Sequence, residues 1–236
     1  MCGRYSISKI QKTVEKALKE SLGATFTFEF EPVYNAAPSM NLPVIANETP
    51  KDIVSYRWGL IPFWAKDEKI GYKMINARRE TILEKPAFKT AAKKKRCLVL
   101  ADGYYEWQKL GDKKTKQPYR IFPTDQELFA FAGIWDEWHD KHTGEVVRSF
   151  SIITTQPPKN IAHIHDRMPV ILEAGHREAW LSDGLNDDDI QALLDGYDGK
   201  RMDYYPVSTE VNSPRKNNES VIEPVNTQQG SQGSLF

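Results

Sequence analysis

The stretch RCLVLADGYYEWQK, residues 96–109, joins a strand-like apolar run to a second one through an Asp-Gly turn. Further strand-like runs follow at hairpin spacing, separated by the charged turns LGDKKTKQ and HDKHTGE; they are PYRIFP (118–123), ELFAFAGIWDEW (127–138) and VVRSFSIITT (146–155). The middle of the chain therefore predicts a β-meander, with Glu106 presented between aromatic neighbours.

The flanking sequence predicts helices on both sides of this β-rich middle. Residues 9–23 place Ile10, Val14, Leu18 and Leu22 on one helical face. TFTFEFE (25–31), PVIANE (43–48) and IVSYRW (53–58) are typical of strands, and residues 76–95 predict helical pieces broken near Pro86. Two short helices (176–183 and 187–197) flank an RMPVIL strand, before a final strand, MDYYPVS.

Composition limits the class of protein. The 236 residues carry 32 Lys plus Arg against 32 Asp plus Glu, so a binding site for a polyanion has to be local. No signal-peptide or membrane-spanning stretch is evident, which predicts a cytoplasmic protein. Two cysteines in that compartment predict no disulfide framework, and we expect neither a metal nor a cofactor. From residue 212 to 236 the Asn, Gln, Ser and Gly content predicts a disordered tail.

The amino terminus, MCGRY, offers unusual chemistry. The small side chain of Cys2 permits removal of Met1, which would leave an α-amine and a thiol on adjacent carbons. An α-amine has a pKa of about 8, so much of it is free base near neutrality. The amine can condense with an aldehyde, and the thiol can then close a five-membered thiazolidine ring on the same carbon. Alternatively, the sulfur alone can act in acyl transfer.

Other stretches combine reactive and bulky side chains, namely WGLIPFWAKD (58–67), MINARRE (74–80), LADGYYEW (100–107) and HIHDRMP (163–169). An aromatic setting would partly desolvate Glu106 and let it hold a proton near neutral pH. His165 would be the second acid or base. The alternative is structural: Glu106 on the solvent face of a strand and His165 in a surface loop.

Taken together, the chain resembles the SRAP family, the SOS response-associated peptidase proteins, which protect abasic sites in DNA. The resemblance rests on motifs in a fixed order along the chain: MCGRY, YNAAPS, WGLIPFWAKD, INARRET, FKTAAKKKRCLVLADGYYEW, SIITT, IHDRMPVIL and YPVSTEVN. It implies one SRAP domain over residues 1–211, of the α+β class, with a mixed, largely antiparallel barrel-like core and peripheral helices.

The resemblance also implies a set of reactive residues. Cys2 would cross-link through a thiazolidine to the ring-opened aldehyde of an abasic site once Met1 is lost. Asn76 would hold the terminal amine or the oxygens of the sugar, and Glu106 would orient the amine and relay protons. His165 would assist opening of the sugar ring and Schiff-base chemistry.

A DNA-binding groove is implied as well, for single-stranded DNA and for junctions between single and double strands. The matched phosphate-binding positions are Arg4, Arg78 and Arg167, whose planar guanidinium groups suit phosphate. Trp64 would stack on bases, with Phe63 and Ala65 beside it where some members carry a second tryptophan. Pro38 and Thr154 are further groove positions. The protein is expected to act as a monomer and to associate with the nucleoid when bound to DNA.

Three other functions stay open at this point. Cys2 could be the acyl nucleophile of a peptidase or amidase, with His165 as base and Glu106 as the orienting group. The chain could be an N-terminal-nucleophile glutamine amidotransferase, or a junction-binding module without chemistry. Cys97 is expected to be an inert, buried strand residue, and the KKKR run (93–96) is expected to be solvated surface rather than a DNA-binding patch.

Overall fold

The computed structural model describes residues 2–9, 11–22, 31–111, 116–195, 197 and 199–226. Its strands are β1 Tyr5–Ile7, β2 Val33–Ala36, β3 Asn41–Ala46, β4 Val54–Trp58, β5 Asn76–Arg78, β6 Arg96–Ala101, β7 Gly103–Lys109, β8 Lys116–Pro123, β9 Phe129–His139, β10 Val146–Thr155, β11 Met168–Pro169, β12 Ile171–Leu172 and β13 Met202–Pro206. Its α-helices are α1 Gln11–Leu22, α2 Pro86–Lys94, α3 Arg177–Leu181 and α4 Asp187–Asp195.

Five strands close into a barrel in the order β10, β4, β3, β6, β9 and back to β10. The short strands β5, β11 and β12 extend this sheet by pairing with β10 or β9. β10 runs parallel to β4 and β5, whereas the other paired strands are antiparallel. The predicted α+β class and the mixed, largely antiparallel barrel-like core are therefore confirmed.

A second sheet of five strands carries the amino terminus, in the order β13, β8, β7, β1, β2. In it, Tyr5 of β1 is directly opposite Tyr104 of β7. This arrangement corrects the predicted meander, because β6 belongs to the barrel and β7 to the second sheet. The chain crosses between the two sheets at Asp102, so one continuous strand-like motif supplies both layers.

The segment from residue 76 to 95 also differs from its prediction. Asn76–Arg78 is a strand rather than the start of a helix, because its backbone pairs with β10 far along the chain. Pro86 begins helix α2 instead of breaking one, which suits a residue whose missing N–H is unneeded in a first turn. Helix α1 agrees with its prediction, with Val14 and Leu18 buried. The predicted TFTFEFE strand lies outside the described residues except for its last position.

Two large apolar clusters and two smaller ones are found among the described residues. Aromatic side chains dominate the first, where Tyr5 and Tyr104 both meet the ring of Phe131 edge-on and Trp58 stacks on Phe150. The second cluster includes buried side chains of α1–α4 together with outward-facing barrel residues such as Leu98. Burying a large apolar side chain contributes about 1.5–3 kcal/mol. The aromatic cluster therefore stabilises the packing of the second sheet against the barrel.

Residues 212–226 depart from the predicted disordered tail, since they contact the second sheet. The Asn217 Oδ1 atom accepts hydrogen bonds from the backbone N–H groups of Tyr34 and Asn35, and Val221 is fully buried. A β-bridge joins Val207 to Pro224. Composition did not indicate this structure, because it depends on a few amide side chains that hold the segment against the second sheet. Residues 227–236 lie outside the described part. None of the helices in the described part is long and apolar enough to cross a membrane.

Candidate active site

The N-terminal strand is anchored by Asp102, for which the sequence predicts only a place in a turn. Its carboxylate accepts hydrogen bonds from Ser6 Oγ at 2.6 Å, from Ser8 N at 2.5 Å and from Lys9 N at 3.1 Å. Arg120 Nη2 donates to it at 2.9 Å. A buried carboxylate with this many donors holds β1 in register and thereby fixes where Cys2 lies.

Cys2 precedes β1 and is fully buried in the unprocessed chain. Its carbonyl oxygen accepts a hydrogen bond of 2.8 Å from Asn76 Nδ2, and its thiol is 3.7 Å from the carbonyl oxygen of Arg4. Burial raises the pKa of the Cys2 thiol well above its usual value, and the charge of Glu106 adds to this effect. The sulfur is therefore held as a neutral thiol.

Glu106 is in the middle of β7, with its carboxylate directed into the protein and its side chain 2% exposed. Burial raises the pKa of Glu106 to about 8, and the nearby charge of Asp166 pushes it in the same direction. An acid with this pKa can both give and take a proton near neutral pH. The sequence prediction of a desolvated glutamate therefore agrees with the structure, and the alternative of a solvent-facing side chain does not.

His165 follows a turn and brings its imidazole to Glu106, with 3.7 Å between Nε2 and Oε2. The backbone N–H of Arg167 donates to His165 Nδ1 at 3.0 Å, which requires a lone pair on that nitrogen. Asp166 Oδ1 is also 3.0 Å from Nδ1, a contact that suits only a protonated Nδ1. Burial lowers the pKa of His165, so the neutral ring with its proton on Nε2 is the form that matches the Arg167 contact.

Four separate segments of the chain thus converge. Cys2 contacts Asn76, Glu106 contacts His165, and the Glu106 charge acts on the Cys2 thiol. The arrangement places a nucleophile beside a carboxyl group that exchanges protons near neutrality and beside a second proton-carrying group. Such a site can carry out addition to a carbonyl carbon with proton transfer.

Two of the predicted phosphate-binding arginines lie next to this group. Arg78 is exposed and follows Asn76 by two positions on β5, so that it shares a strand face with Asn76. Arg78 and Arg167 line an open cavity of about 490 Å³ together with Gln156, Pro157, Ala162 and Asp166. Thr154 is buried rather than facing this cavity, and its carbonyl oxygen accepts a hydrogen bond of 2.5 Å from Arg167 Nη2.

The other predicted DNA-binding residues have different surroundings. Arg4 donates to the carbonyl oxygens of Val211 and Asn212, so its guanidinium holds the C-terminal segment. Pro38 is half-buried in the turn between β2 and β3, where Ser39 has a φ of 75°. Trp64 is 49% exposed on a loop after β4.

The Trp64 loop is held rigidly although its aromatic side chains are exposed. Asp136 Oδ2 accepts from the Phe63 backbone N–H at 2.8 Å, and Trp138 Nε1 donates to the Ala65 carbonyl at 2.7 Å. Gly59, with a φ of 118°, begins the loop, and a Cβ atom there would lie 2.7 Å from the Gly71 carbonyl oxygen. Phe63 is 60% exposed, so two neighbouring rings face solvent from a fixed backbone.

The KKKR run and Cys97 have structural roles. Lys93 pairs with Asp187, Lys95 pairs with Asp136, and Arg96 is wholly buried and donates to carbonyl oxygens at the ends of α2 and α3. Arg96 therefore differs from the predicted solvated surface, because the helix ends offer it unpaired carbonyl groups. Cys97 is buried on β6, where burial raises the pKa of its thiol, as expected of an inert thiol.

The chain is similar to several proteins named abasic site processing proteins. It is 48% identical over 200 residues to the abasic site processing protein YoaM of Bacillus subtilis, covering 84% of this chain and 87% of that protein. It is 44% identical over 231 residues to YoqW of the same organism, covering 94% and 99%. The abasic site processing protein HMCES of Xenopus tropicalis is 35% identical over 259 residues, covering 92% and 76%.

Among solved structures, a protein from Bacteroides thetaiotaomicron superposes with a TM-score of 0.84 at 32% identity, covering 95% of this chain and all of that one. The family model described as SOS response associated peptidase (SRAP) matches residues 1–214. That match includes Cys2, Asn76, Glu106 and His165, the residues that the structure brings together. The chain therefore belongs to the SRAP family.

Proposed function

We propose that this protein captures abasic sites in single-stranded DNA covalently, through Cys2 after Met1 has been removed. The observation that carries the proposal is the convergence of Cys2, Asn76, Glu106 and His165 from four separate segments. Relatives covering most of this chain are named abasic site processing proteins, which supports abasic-site processing here.

The proposed reaction has two bond-forming steps. The α-amine of Cys2 adds to the aldehyde carbon of the ring-opened sugar, and loss of one water gives an imine. The thiol then adds to the imine carbon, its proton passing to the nitrogen, and a thiazolidine ring results. The net change is protein plus DNA minus one water, with no oxidant, metal or cofactor required.

Each polar residue has a defined part in this reaction. Asn76 holds the Cys2 carbonyl group and so orients the amine on the adjacent carbon. Glu106, with a pKa of about 8, is mostly protonated near pH 7 and can donate the proton that lets water leave the carbinolamine. His165, neutral with its proton on Nε2, can donate a hydrogen bond to the ring oxygen of the sugar as it opens, while the proton itself can come from Glu106.

The proposed DNA path uses a small basic site on a chain of zero net charge. Arg78 and Arg167 line the cavity next to Asn76 and would contact phosphates on either side of the lesion. The exposed rings of Phe63 and Trp64 suit stacking on bases, which tolerates any sequence. Junctions between single and double strands would use the same surface, and we propose a monomer as the active form.

The state of the thiol separates this proposal from a cysteine peptidase or amidase. An acyl-transfer nucleophile needs a thiolate, and low-pKa sites obtain one from a nearby positive charge. Here burial raises the pKa of the Cys2 thiol, so a thiolate is disfavoured. Amine-first capture of an aldehyde avoids this difficulty, because the thiol reacts within a formed imine. Strand cleavage by β-elimination from the imine, and self-removal of Met1, are proposed as minor activities of the same site.

A mixing experiment tests the proposal. Tag-free protein, with loss of Met1 confirmed by mass, is incubated with single-stranded DNA that contains one abasic site. We expect a band stable on a denaturing gel, with an intact mass equal to protein plus DNA minus one water. Cys2→Ser should abolish this stable band, because serine keeps the amine but cannot form the thiazolidine ring.

Cys97→Ser is the matched control, since it removes the other thiol of the chain from a buried strand position. That variant should cross-link like the wild type. Absence of an adduct from verified Cys2-terminal protein would contradict the proposal, and release of ammonia or cleavage of peptides by that protein would favour acyl transfer.

A further inference from the structure

Glu80 is a charged residue at the edge of the site to which the proposed reaction assigns no part. It lies in a short 3-10 turn, Arg79–Thr81, directly after the strand that carries Asn76. Its side chain is 46% exposed, yet both of its carboxylate oxygens are used. Arg167 Nη1 donates to Oε1 at 2.7 Å and Nη2 donates to Oε2 at 2.9 Å. This is the two-bond, planar pairing that fixes an arginine most firmly.

The need for this pairing comes from Arg167, whose side chain is only 11% exposed. A nearly buried guanidinium requires a counter-charge, because an unpaired buried charge is costly. Among the described residues, the other partner of this side chain is Thr154, mainly through its carbonyl oxygen at 2.5 Å, which supplies no negative charge. Arg167 in turn holds the pKa of Glu80 below its usual value, so Glu80 is ionised throughout the neutral range.

The same Arg167 residue makes the backbone contact that selects the form of His165. Its N–H donates to His165 Nδ1, and this leaves the proton of the neutral ring on Nε2, the nitrogen that faces Glu106. Asp166 Oδ1 competes for Nδ1 at the same distance of 3.0 Å, and it favours a proton there. Which nitrogen carries the proton therefore depends on where the Arg167 backbone lies.

We propose that Glu80 is a positioning residue: by holding the Arg167 side chain, it keeps the Arg167 N–H on His165 Nδ1 and so keeps the Nε2–H tautomer facing Glu106. The inference rests on the proposed function for its effect on rate, but its structural part is independent of that function. Residues on either side of Arg167 are held by other contacts, since β11 pairs with β10 and Ile164 is buried. Between these residues, the Arg167 side chain adds a restraint through its contacts with Glu80 and Thr154.

The test compares Glu80→Gln with wild-type protein by two measurements. Imidazole nitrogen shifts of His165 at pH 7.5 report which nitrogen carries the proton, and the cross-linking rate on abasic single-stranded DNA reports the chemistry. Partners that orient functional histidines at metal sites are worth about 10- to 100-fold. By analogy, Glu80→Gln should lower the rate about tenfold and should move part of the population to Nδ1–H. Affinity for intact single-stranded DNA should change less than about twofold, and Glu80→Asp should recover part of the rate.

Glu137→Gln is the matched control. Glu137 also pairs with an arginine, with 2.8 Å between Arg148 Nε and Glu137 Oε2, at the far end of β10. It should leave the tautomer and the rate unchanged, and an unchanged urea unfolding midpoint would show that each variant is folded. The groups that act on the His165 ring are the N-terminal amine, Glu106, Asp166, Lys116 and the backbone N–H of Arg167, and all of them remain in both variants.

Two results would overturn the proposal. One is a Glu80→Gln variant with wild-type tautomer and wild-type rate. The other is an unchanged tautomer with a loss of DNA affinity as large as the loss of rate, which would make Glu80 part of the DNA-binding surface. Should wild-type protein form no adduct, the proposed function would fail, while the nitrogen shifts would still decide whether Glu80 fixes His165.

Discussion

Asp102 lies directly before β7, and Glu106 lies within that strand, four residues later. Their carboxylates are about equally buried, with side chains 1% and 2% exposed. Asp102 receives hydrogen bonds from backbone N–H groups, serine hydroxyls and the Arg120 guanidinium. Glu106 faces His165 across 3.7 Å, and burial raises its pKa to about 8. One acid is surrounded by donors and a counter-charge, whereas the other is desolvated.

The difference shows that burial alone does not make a carboxylate reactive. Burial penalises the charged form of both side chains, and only donors and positive charges offset that penalty. Asp102, with its donors, stabilises the strand that positions Cys2. Glu106 has a pKa within reach of neutral pH and can exchange protons. Substitution by the neutral amide should therefore have opposite effects on stability at the two positions.

Asp102→Asn should cause a large loss of stability. The substitution leaves the Arg120 guanidinium, which is buried, without its counter-charge, and it replaces an acceptor of several hydrogen bonds. Removing one partner of a buried ion pair costs about 3–5 kcal/mol, so we expect a loss of this size in the free energy of unfolding in urea. Asp203→Asn, at an exposed position on β13, is the control and should change stability by less than about 0.5 kcal/mol. A loss below about 1 kcal/mol at Asp102 would mean that its ion pair with Arg120 contributes little to stability.

Glu106→Gln should instead stabilise the protein near neutral pH. The pKa of Glu106 is raised from 4.5 to about 8 in the folded chain, so the folded state binds the proton more tightly than the unfolded state. Stability from this group is therefore present below pH 4.5 and is lost as the pH rises toward 8. Within that window the slope is on the order of 1 kcal/mol per pH unit. The variant should lack this slope and should exceed the wild type in stability at pH 7.

The control for this pH dependence is Glu84→Gln, which removes a carboxylate from an exposed position. Urea unfolding at pH 5, 6, 7 and 8 gives the difference between each variant and the wild type, so that the other titrating groups cancel. A constant difference across this range for Glu106→Gln would mean that Glu106 has an ordinary pKa. The assigned role as proton donor would then fail.

The contrast between these acids also explains what could be predicted from sequence. Helix α1, β3, β4 and the barrel strands follow local periodicity, which is readable in a single chain. The strand at Asn76 was missed because its conformation depends on pairing with Ile152, 76 positions away. Asp102 and Glu80 were missed for a related reason. Each is defined by partners distant in sequence, such as Arg167, which is 87 positions from Glu80.

The residues proposed to react, Cys2, Asn76, Glu106 and His165, were found through family motifs, and spacing alone would not have joined them. Glu106 and His165 are 59 positions apart in the numbering of the chain, and each also had an ordinary structural explanation. What could be inferred from chemistry was the effect of an aromatic setting on a carboxylate. The surroundings of Arg4, by contrast, could not be inferred from the sequence. Its guanidinium contacts the backbone of residues 211 and 212, and no local pattern indicates that contact.

Two arginines beside the cavity, Arg78 and Arg167, differ in the same way as the two acids, and the expected effect on DNA binding is smaller. The Arg167 guanidinium has a carboxylate and a carbonyl as partners, whereas no hydrogen bond or ion pair to the Arg78 guanidinium is found within the part of the chain that the structure describes. An exposed arginine beside the cavity is the group that gains most from a phosphate. Arg78→Ala should therefore weaken binding to intact single-stranded DNA several-fold, and it should reduce the slope of log affinity against log salt by about 0.7. Arg148→Ala, an exposed arginine already paired with Glu137 and Glu48, is the matched control. An equal change in slope for both variants would mean that Arg78 acts through net charge alone, and that its position beside Asn76 has no special role in binding.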